Sequence, residues 1–357
     1  MLIKKVSGVN FRNLLPFEIE PGPKTNIIYG QNAQGKTNLL EVMWLFTGAK
    51  SFRTTKDNLL VSLNKEETKI NMVFEKETTE NSASIIIKQR RNAVLNEKKL
   101  NSASLLAGNF CAIVFSPDDL NLISGSPEKR RRFLDIAISQ IYPKYIEVLR
   151  RYNRALAQRN FILKQIKEKG KEEDFLLPFE QQMSIEGSNI IKYRKRYLQI
   201  SEEFIKEIYS GISGKKEDFS VLYEPCVEAE NLLNKLNEKR KEDILSGFTS
   251  IGPHRDDIDF IINDKSVKNF GSQGQKRSVA LALKLSEAEV LNKITGEYPV
   301  ALLDDVMSEL DEDRQNFILN HINKMQVFIT CCDRANIKNL VSGTVFKVED
   351  GKIEKEI

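Results

Sequence analysis

"YGQNAQGKTNLLEV", residues 29–42, sets a polar loop between two apolar elements. Ile27 and Ile28 before it read as the end of a buried strand. Leu39, Leu40, Met43 and Phe46 after it repeat like one face of a helix. Gly30, Gly35, Lys36 and Thr37 match G-x-x-x-x-G-K-S/T, the P-loop pattern. The spacing has a chemical reason. A phosphate chain must lie against several backbone N–H groups at once, so side chains must be absent where the loop turns tightest. Gly30 and Gly35 meet that need. The helix beginning near Lys36 points its positive end at the anion. Lys36 is expected to reach the β- and γ-phosphates, and the Thr37 hydroxyl to hold Mg²⁺. Gln31, Asn32, Ala33 and Gln34 complete the cradle, and Asn38 follows it.

The chain has 357 residues, enough for two domains or for one with a large insertion. Hydrophobic residues make up 41% of it, so a substantial core is feasible. The net charge of +4 argues for no partner by itself. Cys111, Cys226, Cys331 and Cys332 show no C-x-x-C spacing of a zinc site, and a reduced cytosolic protein fits. The two histidines, His254 and His321, argue against a histidine-based metal centre or triad. "MLIKKVSGVNF" lacks the apolar run of a signal peptide. No stretch approaches about 18 apolar residues, so no membrane partner or span is expected.

Residues 1–29 read as short strands punctuated by Pro21, Gly22 and Pro23, and 36–48 as a helix. "INMVFEK", "SASIIIKQ" and "AVLNEKK", between 70 and 100, read as strands, as does "CAIVF" at 111–115. Residues 127–210 then turn helical. Tyr145, Leu149, Tyr152, Leu156, Leu163 and Ile166 form an amphipathic stripe. "KEKGKEED" (167–174) separates it from a second helical stretch at 179–210, and the two are expected to pair as an antiparallel hairpin. Between 129 and 171 there are thirteen Lys or Arg against three Asp or Glu, including "KRRR" at 129–132. "KYRKR" at 192–196 adds to the positive charge. Strand patterning returns after Gly214, with "IDFIINDKSV" reading as a hairpin that turns at Asn263–Asp264.

A P-loop needs an acidic partner for its metal. In "YPVALLDDVMSELD" (298–311) the strand "VALL" ends in Asp304 and Asp305. A carboxylate at that end of a strand lies where α/β sheets bind nucleotides. Asp304 is assigned to Mg²⁺ and Asp305 to orienting the attacking water, which makes Lys36, Asp304 and Asp305 the catalytic candidates. Upstream, "FGSQGQKRSVALALKL" (270–285) opens a helix with Ser272, Gln273, Gly274 and Gln275, and Asp304 follows Ser272 by 32 residues.

A Ser-x-Gly-Gln helix start at that distance from an acidic strand end resembles the signature of ABC-type ATPases. A serine hydroxyl and a helix N-terminus can together bind a γ-phosphate. The resemblance implies that two heads meet face to face, each signature closing over the other's ATP. Ser272 also reads as a plain helix N-cap. "SELD" (308–311) resembles the D-loop of those proteins. Two departures stand out. The strand "VFITCCD" carries no switch histidine, so Thr330 or a neighbour must substitute, and Asp305 replaces the usual glutamate. A carboxylate one methylene shorter reaches less far toward water. Both departures point to slow hydrolysis, a weak ATPase suited to a timed switch and poor for a motor.

Further blocks narrow the resemblance: "NFRN" (10–13), "SFRT" (51–54), "FSPDDLNLISGSPEKRRRFLD" (115–135), "RYNRALAQRN" (151–160) and "GPHRDD" (252–257). Together, and in this order, they are similar to the RecF family of bacterial recombination mediators over nearly the whole chain. The implied fold is α/β, an ABC-type P-loop ATPase head with an inserted helical arm (lobe II, a short antiparallel helical hairpin). On that plan 1–115 is the first half of the head, 116–215 the arm, and 216–357 the second half. A transporter ATPase subunit is the alternative family, but the arm of about 100 residues exceeds its short insertion and falls far below a structural-maintenance-of-chromosomes coiled coil.

The RecF resemblance implies ATP and Mg²⁺ as cofactors and an ATP-dependent homodimer. It implies binding of double-stranded DNA and of gapped or single-strand/double-strand junction DNA. RecR and RecO are the implied partners in loading RecA, with roles in repair, replication restart and the SOS response. Arg12, Asn13 and Arg53 lie where related heads touch the nucleotide. The basic arm makes DNA binding physically sensible, through backbone phosphates rather than base edges. Lys129, Arg130, Arg131, Arg132, Arg150, Arg151, Arg154 and Arg159 are its candidate contacts. His254 is read as structural and Trp44 as core.

Overall fold

The computed structural model describes residues 1–356 apart from 55, 171, 215–216 and 333–342. Their contacts divide the chain into two units, Met1–Leu120 with Ala280–Ile357, and Asn121–Val279. The chain opens with strands β1 (Leu2–Val9), β2 (Phe17–Ile19) and β3 (Thr25–Tyr29), and helix α1 (Lys36–Leu45). Strands β4 (Thr68–Lys76), β5 (Thr79–Ile87), β6 (Arg91–Leu95), β7 (Lys98–Leu100) and β8 (Ala112–Phe115) follow. The second unit holds helices α2 (Pro127–Ile141), α3 (Lys144–Lys169) and α4 (Leu177–Ser213) and strand β9 (Phe219–Glu224). It continues through α5 (Leu232–Glu238), α6 (Arg240–Ser246), β10 (Asp257–Ile262), β11 (Lys265–Ser266) and α7 (Val267–Phe270). Helix α8 (Gln273–Thr295) starts there and leads back into the first unit. The chain closes with β12 (Val300–Leu303), α9 (Glu312–Ile322), β13 (Val327–Cys331), β14 (Thr344–Glu349) and β15 (Lys352–Glu356).

Two six-stranded sheets build the first unit. One is antiparallel, in the order β2-β1-β4-β5-β6-β7. The other, β15-β14-β3-β13-β12-β8, is parallel apart from its edge strand β15. Parallel strands are covered on both faces and so read as unbroken apolar runs. All four residues of β12, Val300, Ala301, Leu302 and Leu303, are fully buried, as is Ile28 of β3. At roughly 1.5–3 kcal/mol per buried aliphatic side chain, these short strands anchor the sheet from within. Trp44 is core, as expected, with its indole N–H given to the Lys50 carbonyl at 2.9 Å.

In the second unit α3 and α4 form the expected hairpin, broken after Gly170, which takes the left-handed conformation (φ 63°) that ends α3. The buried stripe of α3 is Tyr145, Val148, Tyr152, Ala155, Arg159 and Leu163. Leu149, Leu156 and Ile166 of the expected stripe lie at its margin. The hairpin turn at Asn263–Asp264 is as read, both residues having positive φ (47° and 61°). The unit does not end at the expected arm boundary. The three-stranded sheet β11-β10-β9 stays with the arm, because α2 packs on β10 and α4 on β9.

Candidate nucleotide site

The P-loop runs from the end of β3 to the start of α1, as its sequence requires. A side chain at Gly30 would place a Cβ 2.2 Å from the Val348 carbonyl oxygen, and at Gly35 (φ 121°) 2.7 Å from Leu14 Cδ2. Both glycines are therefore dictated by close approach as well as by turn geometry. Gly35 is the N-cap of α1 and brings no side-chain acceptor, so the first N–H groups of the helix face the loop. The Lys36 ammonium is buried and donates to the carbonyls of Gly30 (2.7 Å) and Gln31 (3.2 Å), with Cys332 Sγ 3.7 Å away. Cys332 in turn meets Asn32 Oδ1 at 3.0 Å. Gln34 takes the Gly351 N–H on its carbonyl (3.2 Å) and the Asp350 N–H on its side chain.

Strand β12 lies beside β13, which lies beside β3, and this order delivers the acidic pair to the loop. The Thr37 hydroxyl donates to Asp304 Oδ1 at 2.7 Å, and Thr330 on β13 donates to the same oxygen at 3.1 Å. Asp304 is 7% exposed; burial pushes its carboxyl above the usual range, and the Thr37 hydroxyl pulls it back. Asp305 is left-handed (φ 48°), and its N–H donates to Thr330 Oγ1 at 2.8 Å. Two cavities meet at Asn32 and Asp305. One, of about 250 Å³, is lined by residues 32–38, Arg53 and Asp305. The other, of about 590 Å³, is lined by Asn32, Asp305, Met307, Ser308, Gln315, Thr330, Cys331 and Cys332.

The remaining candidates divide. Arg53 lines the smaller cavity and donates to Asn38 Oδ1 at 2.7 Å; Asn38 donates to Asn13 Oδ1 (2.5 Å), and Asn13 to the Ala33 carbonyl (3.0 Å). Arg12 is different. Its guanidinium forks onto Glu41 of α1, with Nη2 to Oε1 at 2.9 Å, and it lines neither cavity described above. Glu41 is fully buried and also accepts the Ser51 hydroxyl. Ser51 Oγ accepts the N–H groups of Arg53 and Thr54, each at 3.0 Å. Glu41 thus ties three separate sequence blocks together, and sequence reasoning missed it. The available signal was a lone acidic residue within the apolar run Leu39–Leu45 of the helix.

The Ser272 stretch lies in the second unit. Ser272 Oγ accepts the Gln275 N–H at 3.1 Å and Gln275 Oε1 accepts the Ser272 N–H at 2.9 Å, a reciprocal capping box. Gln275 also donates to Glu217 at 3.2 Å. Gln273 is exposed and Gly274 half-buried at the same helix start. In the first unit the "SELD" block begins with Ser308 donating to the Asp305 carbonyl (2.7 Å) and ends with Asp311 as the N-cap of α9.

Two of the proposed DNA contacts are corrected by burial. Arg130 is 1% exposed, forks onto Asp257 at 2.7 and 2.8 Å and donates to the carbonyls of Leu122, Ile123 and Gly125 just before α2. Arg159 is fully buried between Glu180 (3.0 Å), Asp243 (2.7 Å) and Thr249 (2.8 Å). Neither can reach a phosphate. Arg131 is half-buried and donates to the Asp256 carbonyl at 2.6 Å, and Arg132 is half-buried. Arg151 is exposed but paired with Glu186 at 2.5 Å. Lys129, Arg150 and Arg154 are exposed. The "GPHRDD" block is structural: Asp256 and Asp257 receive Arg194 and Arg130, and His254 sits between Tyr152 OH (2.7 Å) and the Thr249 carbonyl (3.1 Å). Burial pushes the His254 imidazole down to about 4.

A parallel sheet that carries a P-loop on one strand and its acidic partner on another, with a helical insertion between them, defines an ABC-type ATPase head. The family model described as "RecF/RecN/SMC N terminal domain" matches residues 2–354. Two relatives named DNA replication and repair protein RecF are 37 and 38% identical to the chain. The first, from Lachnoclostridium phytofermentans, aligns with 99% of this chain and 100% of its own length. The second, from Bacillus cereus strain G9842, aligns with 100% and 99%. A solved structure described as the recombination mediator protein RecF-ATP in the RecFOR pathway is 36% identical, with a TM-score of 0.92 over 100% of this chain and 98% of that one. An Smc head domain from Pyrococcus furiosus shares the fold at 15% identity, with a TM-score of 0.54 over 99% of this chain and 96% of that one. The chain belongs to the RecF family.

Proposed function

We propose that this chain is an ATP-gated DNA-binding protein of recombinational repair. ATP joins two copies, the joined copies grip gapped or junction DNA, and slow hydrolysis lets it go. RecR and RecO are the proposed partners in delivering RecA to single-stranded DNA, in the cytoplasm. The observation that carries the reading is the Thr37–Asp304 hydrogen bond of 2.7 Å at the foot of the P-loop. It draws together one hydroxyl and one carboxylate from distant parts of the chain. The RecF relatives and the solved structure described as RecF-ATP support the choice of nucleotide. Among the described residues no helix is long and apolar enough to cross a membrane.

The oxygen donors fit Mg²⁺. A hard cation that keeps most of its waters takes one or two protein oxygens, and Thr37 Oγ1 and Asp304 Oδ1 already lie together. When bound, the ion would neutralise charge on the β- and γ-phosphates. The protein's own work is positional. Loop N–H groups and Lys36 hold the phosphates, Asp305 orients water, and Arg53 supplies positive charge beside them. Ser272 to Gln275 of a second copy would close the pocket, and Lys129, Arg150 and Arg154 offer exposed charge to DNA. Sedimentation with and without ATP and DNA tests this. The expected result is a monomer alone, a dimer with ATP and a heavier complex with both. DNA retention that ignores the nucleotide would instead mark a scaffold.

A further inference from the structure

Thr330 is a buried hydroxyl at the foot of the nucleotide site. It lies on β13, 1% exposed, directly beside the end of β12. Its single hydroxyl touches both members of the acidic pair in different ways. Toward Asp304 it is the donor, at 3.1 Å to Oδ1; toward Asp305 it is the acceptor, at 2.8 Å from the backbone N–H. The Leu303 carbonyl is 3.4 Å away, a poorer acceptor for the same proton. The Asp305 backbone that it holds is left-handed, φ 48° and ψ 12°. A non-glycine residue stays in that region only when its surroundings fix it. The Ser308 hydroxyl takes the Asp305 carbonyl at 2.7 Å, so both backbone polar groups of Asp305 are engaged. Asp305 is also the residue, with Asn32, that lines both cavities.

We infer that Thr330 is a positioning residue for ATP turnover: one hydroxyl sets the Asp304 carboxylate that would bind Mg²⁺ and the backbone turn that aims Asp305 at water. The inference rests on the function proposed above. Thr330 does not take over the work of a phosphate-sensing histidine. Its single proton, the only group with which it could meet a phosphate oxygen, is committed to Asp304, and it accepts the Asp305 N–H, so its effect on the phosphate passes through those two residues.

Thr330→Val keeps the volume and branching of the side chain and removes only the hydroxyl. Thr330→Ser keeps the hydroxyl. The measurements are steady-state ATP turnover with duplex DNA, the Mg²⁺ concentration at half-maximal rate, and ATP affinity by equilibrium binding. Thr330→Val should lower kcat about tenfold or more, corresponding to loss of a buried hydrogen bond beside a charged group. It should raise the Mg²⁺ requirement and leave ATP affinity within about twofold, since Lys36 and the loop N–H groups are untouched. Thr330→Ser should restore both kcat and the Mg²⁺ requirement. If Thr330→Val fails to fold, Thr330→Cys, a smaller side chain with a weaker donor, carries the same comparison against Ser. Equal kcat and Mg²⁺ dependence in the hydroxyl-free and wild-type proteins would overturn the inference alone. An equal loss in the Ser and Val variants would also overturn it, because packing would then be the cause. A wild-type protein with no Mg²⁺-dependent turnover would overturn the proposed function as well.

Discussion

Thr37 and Asp304 are hydrogen-bonded at 2.7 Å although 267 positions separate them in the chain. The bond requires β3, β13 and β12 to be in register, so it reports on the whole parallel sheet. It also sets a conflict between stability and chemistry. Burial holds the Asp304 carboxyl above its usual range. A carboxyl raised in the folded state favours folding below its unfolded value, and that contribution is gone once the pH passes the raised one. At neutral pH the buried charge is therefore a cost in the absence of a cation. Asp304→Asn should stabilise the nucleotide-free protein and reduce Mg²⁺-dependent turnover by about 100-fold or more. Thermal melts and a phosphate-release assay check the two halves separately.

The basic residues of the arm should separate into two kinds. Arg159→Ala leaves Asp243 buried without its arginine and should cost about 3–5 kcal/mol, although Glu180 keeps Arg240. Arg130→Ala should cost less, because Asp257 is 18% exposed and keeps Lys268 at 3.4 Å. Lys129, Arg150 and Arg154 are exposed, and their alanine variants should stay within about 0.5 kcal/mol of wild type. DNA affinity should show the reverse order. Each exposed contact removed should lower the slope of log affinity against log salt by about 0.9. Denaturant titration and DNA titration at several salt concentrations read the two effects.

His254 makes the second unit acid-sensitive. Its imidazole is held down to about 4 in the fold, chiefly by burial, against an unfolded value near 6.5. The neutral form's contribution is fully present above the unfolded value. It falls away as the pH drops from about 6.5 to about 4, by up to about 3 kcal/mol. His254→Gln should flatten the stability profile across that window. An unchanged profile in the variant would assign the acid sensitivity to the carboxylates instead.

Ser272 has two roles that different substitutions distinguish. Ser272→Ala removes an N-cap and should cost about 1 kcal/mol of stability. Ser272→Arg should retain ATP affinity but block pairing of two copies, seen as a monomer in sedimentation with ATP. A dimer of normal affinity in that variant would remove Ser272 from the proposed second-copy contact.

What could be read from the sequence was the chemistry that local spacing fixes. Gly30, Gly35, Lys36 and Thr37 must stand where they do for one loop to hold phosphate. Asn263–Asp264 is a hairpin turn because those two residue types tolerate positive φ. What could not be read depended on partners far along the chain. A run such as "KRRR" looks solvated because the residue that buries Arg130, Asp257, lies 127 positions away. Arg12 reads from its block as a nucleotide contact, and only the fold shows that Glu41 is also its partner. The limit of the arm was missed for the same reason. Strands β9 and β10 have the period of any half-buried strand, and nothing in that period says which helices cover them.

The P-loop strand β3 has two neighbours, β13 and β14, and both come from residues 327–349. During synthesis the loop is made early and its supports very late. A ribosome-tethered chain of 300 residues carries the whole basic arm but leaves β3 without a sheet to join. The nucleotide pocket therefore cannot assemble until strands β13 and β14 have left the ribosome and closed on either side of β3.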